Sequence, residues 1–346
     1  MRKVIFLLLF AVVLTVPVFA VSLDIPSPPE SAQAYMPREP ENLTEGIFEV
    51  LRKVVGELRP DLAEATGLCI RICAVVMMLS LVEFIPGENR NVVNLVGTVT
   101  VSGMLLSSSG TMIRLAADTV RQISDYGKLL LPVMSSALAA QGGITTSAVL
   151  YTGTALFDAI LGSLVSSLLV PLLYFYLALA IGGRAVGGQM LKKCTDTLKS
   201  FMTWLLKTVL YIFTGYMTVT GVVSGSTDAS ALKAAKLTIS GVVPVVGGIL
   251  SDASEAVLVG AGTVKNAAGV YGLFAVAAIW IGPFLKIGSH YLMLRLTSLF
   301  CGIFGSKTVT DLILDFASAM GMLLGMTGAL CLMMLISLIC FMKGVG

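Results

Sequence analysis

Residues 155–182 read ALFDAILGSLVSSLLVPLLYFYLALAIG, a stretch with one charge, Asp158. An α-helix of about 20 apolar residues crosses a hydrocarbon core about 30 Å thick, so this stretch is long enough to span a bilayer. The rest of the chain has the same character. Of its 346 residues, 56% are hydrophobic and 12% charged, and the mean hydropathy is +0.92. Soluble domains carry about 25% charged residues, so a soluble globular domain and a disordered chain are both excluded. Only helices and closed barrels satisfy the backbone inside lipid, and long apolar runs belong to helices. The fold class is an all-α polytopic membrane protein.

Working outward, hydropathy marks about six transmembrane helices, near 66–85, 92–113, 155–182, 204–224, 267–285 and 319–342. Two further apolar segments are interrupted. Residues 129–150 contain Pro132 and Gln141-Gly142-Gly143, and residues 241–262 contain Pro244, Gly247-Gly248, Asp252 and Glu255. If both crossed the bilayer, the most basic loop, 182–203 with Arg184, Lys192, Lys193 and Lys199, would lie outside, against the positive-inside rule. Read instead as re-entrant or interfacial segments broken by Pro and Gly, they leave that loop inside, together with Lys286, Arg295 and Lys307.

A displacement of 112 residues sets Pro132 on Pro244 and Pro171 on Pro283, and the order of elements repeats with it. Each half runs as a span, a short amphipathic stretch (114–128, then 226–240), a Pro-broken segment, a Pro-bearing span and a basic loop. Two parallel repeats are therefore expected at 92–203 and 204–318, after a first membrane helix and short loop at 66–91 and before a closing helix at 319–346. Broken helices at matching positions of two halves point to a contact or transport site. The candidates are Pro132, Gly142, Gly143, Pro171, Pro244, Gly247, Gly248, Asp252, Glu255 and Pro283.

The N-terminus reads as an export signal. Arg2 and Lys3 precede an apolar run to about Val16, Pro17 ends it, and Val18-Phe19-Ala20 has the small residues of a cleavage site between Ala20 and Val21. Residues 21–65 then form an exported arm with nine acidic and four basic residues. Its first half is rich in Pro, and an amphipathic helix from about Leu43 to Leu58 follows, which Pro60 is expected to end. That helix suits either the membrane surface or a docked partner.

Chemistry-bearing residues are few. The single histidine, His290, excludes a His-based metal cluster or a Ser-His-Asp triad within one chain, and no cofactor motif or nucleic-acid signal is present. Cys69 and Cys73 share a helix face but lack further ligands. Asp158 reads as an interfacial residue reached by water or as a buried carboxylate with a partner. Lys233 and Lys236 lie on one side of a short helix, where they suit phospholipid headgroups, an acidic partner or plain solvation. Met320, Met322, Met326, Met333 and Met334 read as packing residues.

Residues 221–286 resemble the stage III sporulation protein AE family of endospore-forming bacteria. The resemblance rests on Leu232-Lys233 with Ala235-Lys236, on Pro244-Val245-Val246-Gly247-Gly248 and Asp252, on Lys265-Asn266 with Gly269 and Gly272, and on Pro283 and Lys286. It implies a non-enzymatic subunit of the apparatus joining the mother cell to the engulfed forespore, in the mother-cell-derived membrane. It also implies an oligomeric assembly with ring-forming proteins, an ATPase and other membrane proteins as partners. The residues alone leave open a second reading, a secondary transporter with its substrate site between the two repeats.

Overall fold

A computed structural model describes residues 25–37, 43–82, 90–242, 247–304 and 307–344, with the backbone alone at 43–44, 90–91, 221–242, 247–261 and 304. The described residues are helical apart from short connections. After a single turn, α1 (Glu30–Gln33), come α2 (Leu43–Val82), α3 (Arg90–Ala140) and α4 (Ile144–Ser163). A π-helical segment, Leu164–Leu169, joins α4 to α5 (Val170–Val186), and α6 (Gln189–Val242), α7 (Gly247–Phe304) and α8 (Lys307–Lys343) complete the chain. Among the described residues, five helices are long and apolar enough to cross a membrane: Glu45–Val82, Val92–Ala140, Ile144–Val186, Gly262–Ile303 and Lys307–Lys343. The span expected at 204–224 falls within α6, whose side chains are described only to Thr220. The all-α polytopic architecture is what the charge-poor composition dictates.

These helices are longer than a bilayer requires. The 51 residues of α3 extend about 77 Å at 1.5 Å per residue, more than twice the hydrocarbon thickness. The span at 92–113, the amphipathic stretch at 114–128 and the segment up to Ala140 are therefore one continuous helix. Its apolar face stays buried throughout, with Leu105, Ile113, Val120, Ile123, Leu131 and Met134 all nearly inaccessible. Arg114, Asp118, Arg121, Asp125 and Lys128 recur every three or four residues and are exposed on the opposite face.

Two prolines do less than the sequence suggests. Pro60 lies inside α2 and does not end it. Val50, Val54, Ala65, Leu68, Ile72 and Val76 form one buried stripe that keeps helical register across Pro60. Packing along that stripe offsets the cost of about 3 kcal/mol that an interior proline carries. Pro132 likewise sits inside α3, eight residues before its end at Ala140, flanked by the buried Leu131 and Met134.

The chain reverses at glycines instead. Gly142 has φ 93°, a conformation that costs other residues a Cβ clash. There the Gly143 N–H donates back to the Leu138 carbonyl (3.1 Å) and closes the end of α3. The expected basic loop at 182–203 is a two-glycine turn, with Gly187 at φ 74° ending α5 and Gln189 starting α6. Lys286 and Arg295 lie within α7, which runs unbroken to Phe304.

The 112-residue displacement pairs a described proline with one outside the described residues. Pro132 lies within α3, whereas Pro244 falls between the end of α6 at Val242 and the start of α7 at Gly247, outside the described residues. The boundaries at 65/66, 203/204 and 318/319 cut α2, α6 and α8 in mid-helix. What does recur is the alternation of helix direction. It brings the ends of α5 and α7 and the starts of α6 and α8 together at one end of the bundle, where Gly187, Gln189, Lys307 and Asp311 line one cavity.

α8 lies at the centre of the described helices. It packs against α3, α4, α5, α6 and α7. Met320, Met322, Met326, Met333 and Met334 are all buried on it, as packing residues. The arm folds back onto its own chain. Ser31 donates to Gln122 of α3 (2.9 Å), Tyr35 to Glu57 of α2 (2.6 Å), and Lys53 to the Met36 carbonyl (2.7 Å). The carboxylate of Glu57 that accepts the Tyr35 hydroxyl, together with partial burial, pushes that phenol up to about 12.

Candidate functional site

The charged face of α3 borders a cavity of about 670 Å³ between α3 and α4. Asp118, Arg121, Asp125 and Lys128 line one side, and Asp158, Ser163 and Ser166 the other. Asp158 is the buried member, 3% exposed. One carboxylate oxygen accepts the Ser124 hydroxyl at 2.5 Å, and the other is buried without a partner. The neighbouring charges are engaged nearer the surface, where Lys128 pairs with Asp125 at 2.8 Å. Of the two sequence readings of Asp158, the structure shows the buried carboxylate with a hydroxyl partner.

The π-helical segment forms the upper edge of this cavity. Pro171 has no N–H to offer the Ser167 carbonyl four residues back. The preceding turn widens, and the Val170 N–H reaches the Val165 carbonyl five residues back. Such π-turns mark helix bends. At Pro171 the sequence signal coincides with a local backbone defect, and the Ser166 hydroxyl there donates to the Gly162 carbonyl at 2.8 Å.

A second charged cluster sits at the end of the bundle where α5 meets α8. Arg184 Nη1 donates to Asp311 Oδ2 at 2.7 Å, and its Nε and Nη2 both reach Asp315 Oδ2 at 2.9 Å. Tyr176 donates to the Asp315 backbone carbonyl at 3.2 Å. One guanidinium therefore holds two carboxylates four residues apart on α8, with its planar fork matched to them. From sequence alone Arg184 reads as one charge of a basic loop. Asp311 and Asp315 on one helix face were the available signal for a cationic partner. Lys286, another of the basic residues assigned to loops, pairs with Asp61 of α2 at 2.6 Å.

The broken-segment candidates are described in part. Gly142 and Gly143 form the turn after α3, where the absence of a side chain at Gly262 on α7 lets the Gln141 amide approach closely. Nearby, Lys265 donates to the Gly344 carbonyl at 3.1 Å. Pro171 is the second residue of α5, and Pro283 lies within α7. Gly247, Gly248, Asp252 and Glu255 are in the first turns of α7, and Lys233 and Lys236 are in the last part of α6; their side chains lie outside the described residues. Ala20 and Val21 lie outside the described residues as well. Among the described residues no group of three or more His, Cys, Asp or Glu is placed to hold a metal ion.

No solved structure matches the chain. One curated relative is the Stage III sporulation protein AE of Bacillus subtilis (strain 168), 23% identical over 195 residues. That match covers 56% of this chain and 49% of the relative, so the chain spans about half the length of the curated relative it matches. The family model for stage III sporulation protein AE matches residues 41–344, from just before α2 to the end of α8. That range takes in the whole helical bundle with both charged sites, and the chain belongs to the stage III sporulation protein AE family.

Proposed function

We propose that the chain is a non-enzymatic membrane subunit of the complex linking the mother cell to the forespore. The observation that carries this reading is the family match across residues 41–344. The geometry supports an assembly part over a catalyst, since its polar features hold helices to one another. Arg184 ties α5 to α8, Lys286 ties α7 to α2, and Ser31 and Tyr35 tie the arm to α3 and α2. In this reading the subunit sits in the mother-cell-derived membrane around the forespore and works with ring-forming proteins, an ATPase and other membrane proteins. Deletion in the parent sporulating cell is expected to arrest forespore development, with the full chain restoring it; normal spores without the protein would contradict the reading.

The same reading orients the bundle. Arg184, Lys192, Lys193 and Lys307 cluster at the end where α5 turns into α6 and α7 into α8, so the positive-inside rule puts that end in the cytoplasm. The arm and the acidic first half of α2 then lie on the exported side. With the native cysteines replaced, Lys193→Cys and Lys307→Cys should react with an impermeant thiol reagent only after lysis. Ser31→Cys, on the arm, should react in intact cells. The reverse pattern would overturn the orientation.

A further inference from the structure

A groove of about 490 Å³ runs along the bundle between α6 and α8, with Tyr291 and Arg295 of α7 on its rim. Its charge is one-sided. Lys199, Lys207 and Arg295 line it, and no carboxylate does. Lys199 donates to the Ser318 hydroxyl at 3.0 Å, and the Arg295 guanidinium lies 5.5 Å from the centre of the Tyr291 ring. Neither contact supplies an opposite charge. Asp311 and Asp315, one to two turns away on α8, are already engaged by Arg184.

The floor of the groove is built from Gly321, Gly325 and Gly328 of α8. Helix packing does not demand glycine at these positions. A Cβ at Gly321 would lie 3.5 Å from Tyr291, one at Gly325 4.0 Å from Leu206, and one at Gly328 3.9 Å from Trp280, all ordinary contacts. At Gly269, by contrast, a Cβ would lie 2.5 Å from Met342. The three floor glycines therefore keep an apolar slot open where side chains would fit. The slot continues between Leu210 and Leu332 beyond the cations.

Depth completes the argument. Lys199 is ten residues from the start of α6 at Gln189, and Arg295 is nine from the end of α7 at Phe304. Both thus lie about 15 Å along their helices from the basic end. Helices of this length exceed a bilayer of about 40–45 Å with its headgroups, so cations set in from the end stand at headgroup level while the slot runs on into the hydrocarbon. Lys207 continues the row inward and can extend its ammonium toward the same level.

We propose that this groove binds an anionic phospholipid of the surrounding membrane. Lys199, Lys207 and Arg295 hold its phosphate, and one acyl chain lies along the glycine floor. The proposal rests on membrane integration and not on membership of any complex, so it stands or falls separately from the proposed function.

The test uses the full chain purified in mild detergent. Native mass measurement and thermal unfolding are recorded with added phosphatidylglycerol, phosphatidylcholine or inorganic phosphate. Phosphatidylglycerol is expected to be retained and to raise the unfolding temperature, while the other two do neither. K199Q/K207Q/R295Q should lose at least about tenfold in phosphatidylglycerol retention, equivalent to about 1.4 kcal/mol. Gly325→Leu, which fills the slot without touching a cation, should lose retention with its lipid-free unfolding temperature unchanged. Equal retention of the two phospholipids, or full retention by the triple variant, overturns the proposal. A response to phosphate without lipid also overturns it, as does a stable dimer that carries no lipid, since a second copy would then fill the groove.

Discussion

Replacing Arg184 with Gln is expected to destabilise the bundle by about 3 kcal/mol, the cost of stranding buried partners of a broken ion pair. The side chains of Arg184 and Asp315 are each 17% exposed and that of Asp311 25%, so water compensates little of the loss. The two carboxylates would then sit on one side of α8 without the guanidinium that joins them, at a spacing where like charges repel. The sign can be isolated by removing the carboxylates too. Arg184→Gln combined with Asp311→Asn and Asp315→Asn should recover most of the stability, because no uncompensated charge remains. Thermal unfolding in detergent reads both. An Arg184→Gln variant within about 0.5 kcal/mol of the parent, the range of ordinary surface changes, would show that the cluster does not hold α5 to α8.

The second large effect is expected at Gly272, where α7 crosses α3 and α8. A Cβ there would collide with the Leu130 side chain and lie 3.4 Å from Leu338. Both leucines are fully buried, so neither has room to swing away. Gly272→Val should cost about 3 kcal/mol, at the top of the range for overpacking. Gly321→Ala on α8 should stay within about 0.5 kcal/mol, as a substitution whose new methyl meets no crowding. Equal effects at the two sites would mean that close helix approach at Gly272 is not what the glycine provides.

Much of the fold is legible from composition. The scarcity of charge fixes helices in a membrane, because lipid leaves the backbone no other economical arrangement. Gly142 is legible as a break and forms the turn after α3, whereas the turn at Gly187 emerges only in the structure. The errors share a cause, which is that hydropathy windows measure what lipid tolerates and not where a helix ends. Pro60 and Pro132 look like terminators in a local window, yet buried stripes such as Val50, Val54, Leu68 and Ile72 carry the helix past them. The amphipathic stretch 114–128 looks like a surface segment, but it is the exposed face of a helix that continues in both directions.

The site is less legible because it is assembled across the chain. Asp158 meets Ser124 from a position 34 residues away, and Arg184 meets Asp311 and Asp315 across 127 and 131 residues. Nothing in the local sequence records those pairings. The lysines and arginine of the α6–α8 groove are similarly scattered, and each taken alone reads as a solvated charge. Only the crossing of the helices puts Lys199, Lys207 and Arg295 on one surface with no acid between them.

The most direct test of the account is affinity purification of the tagged full chain from sporulating cells in mild detergent, with particle mass and co-purifying proteins recorded. The account predicts recovery in a large particle that contains other stage III sporulation proteins. Recovery alone, as a stable monomer or small homo-oligomer, would contradict it and favour a self-sufficient transporter.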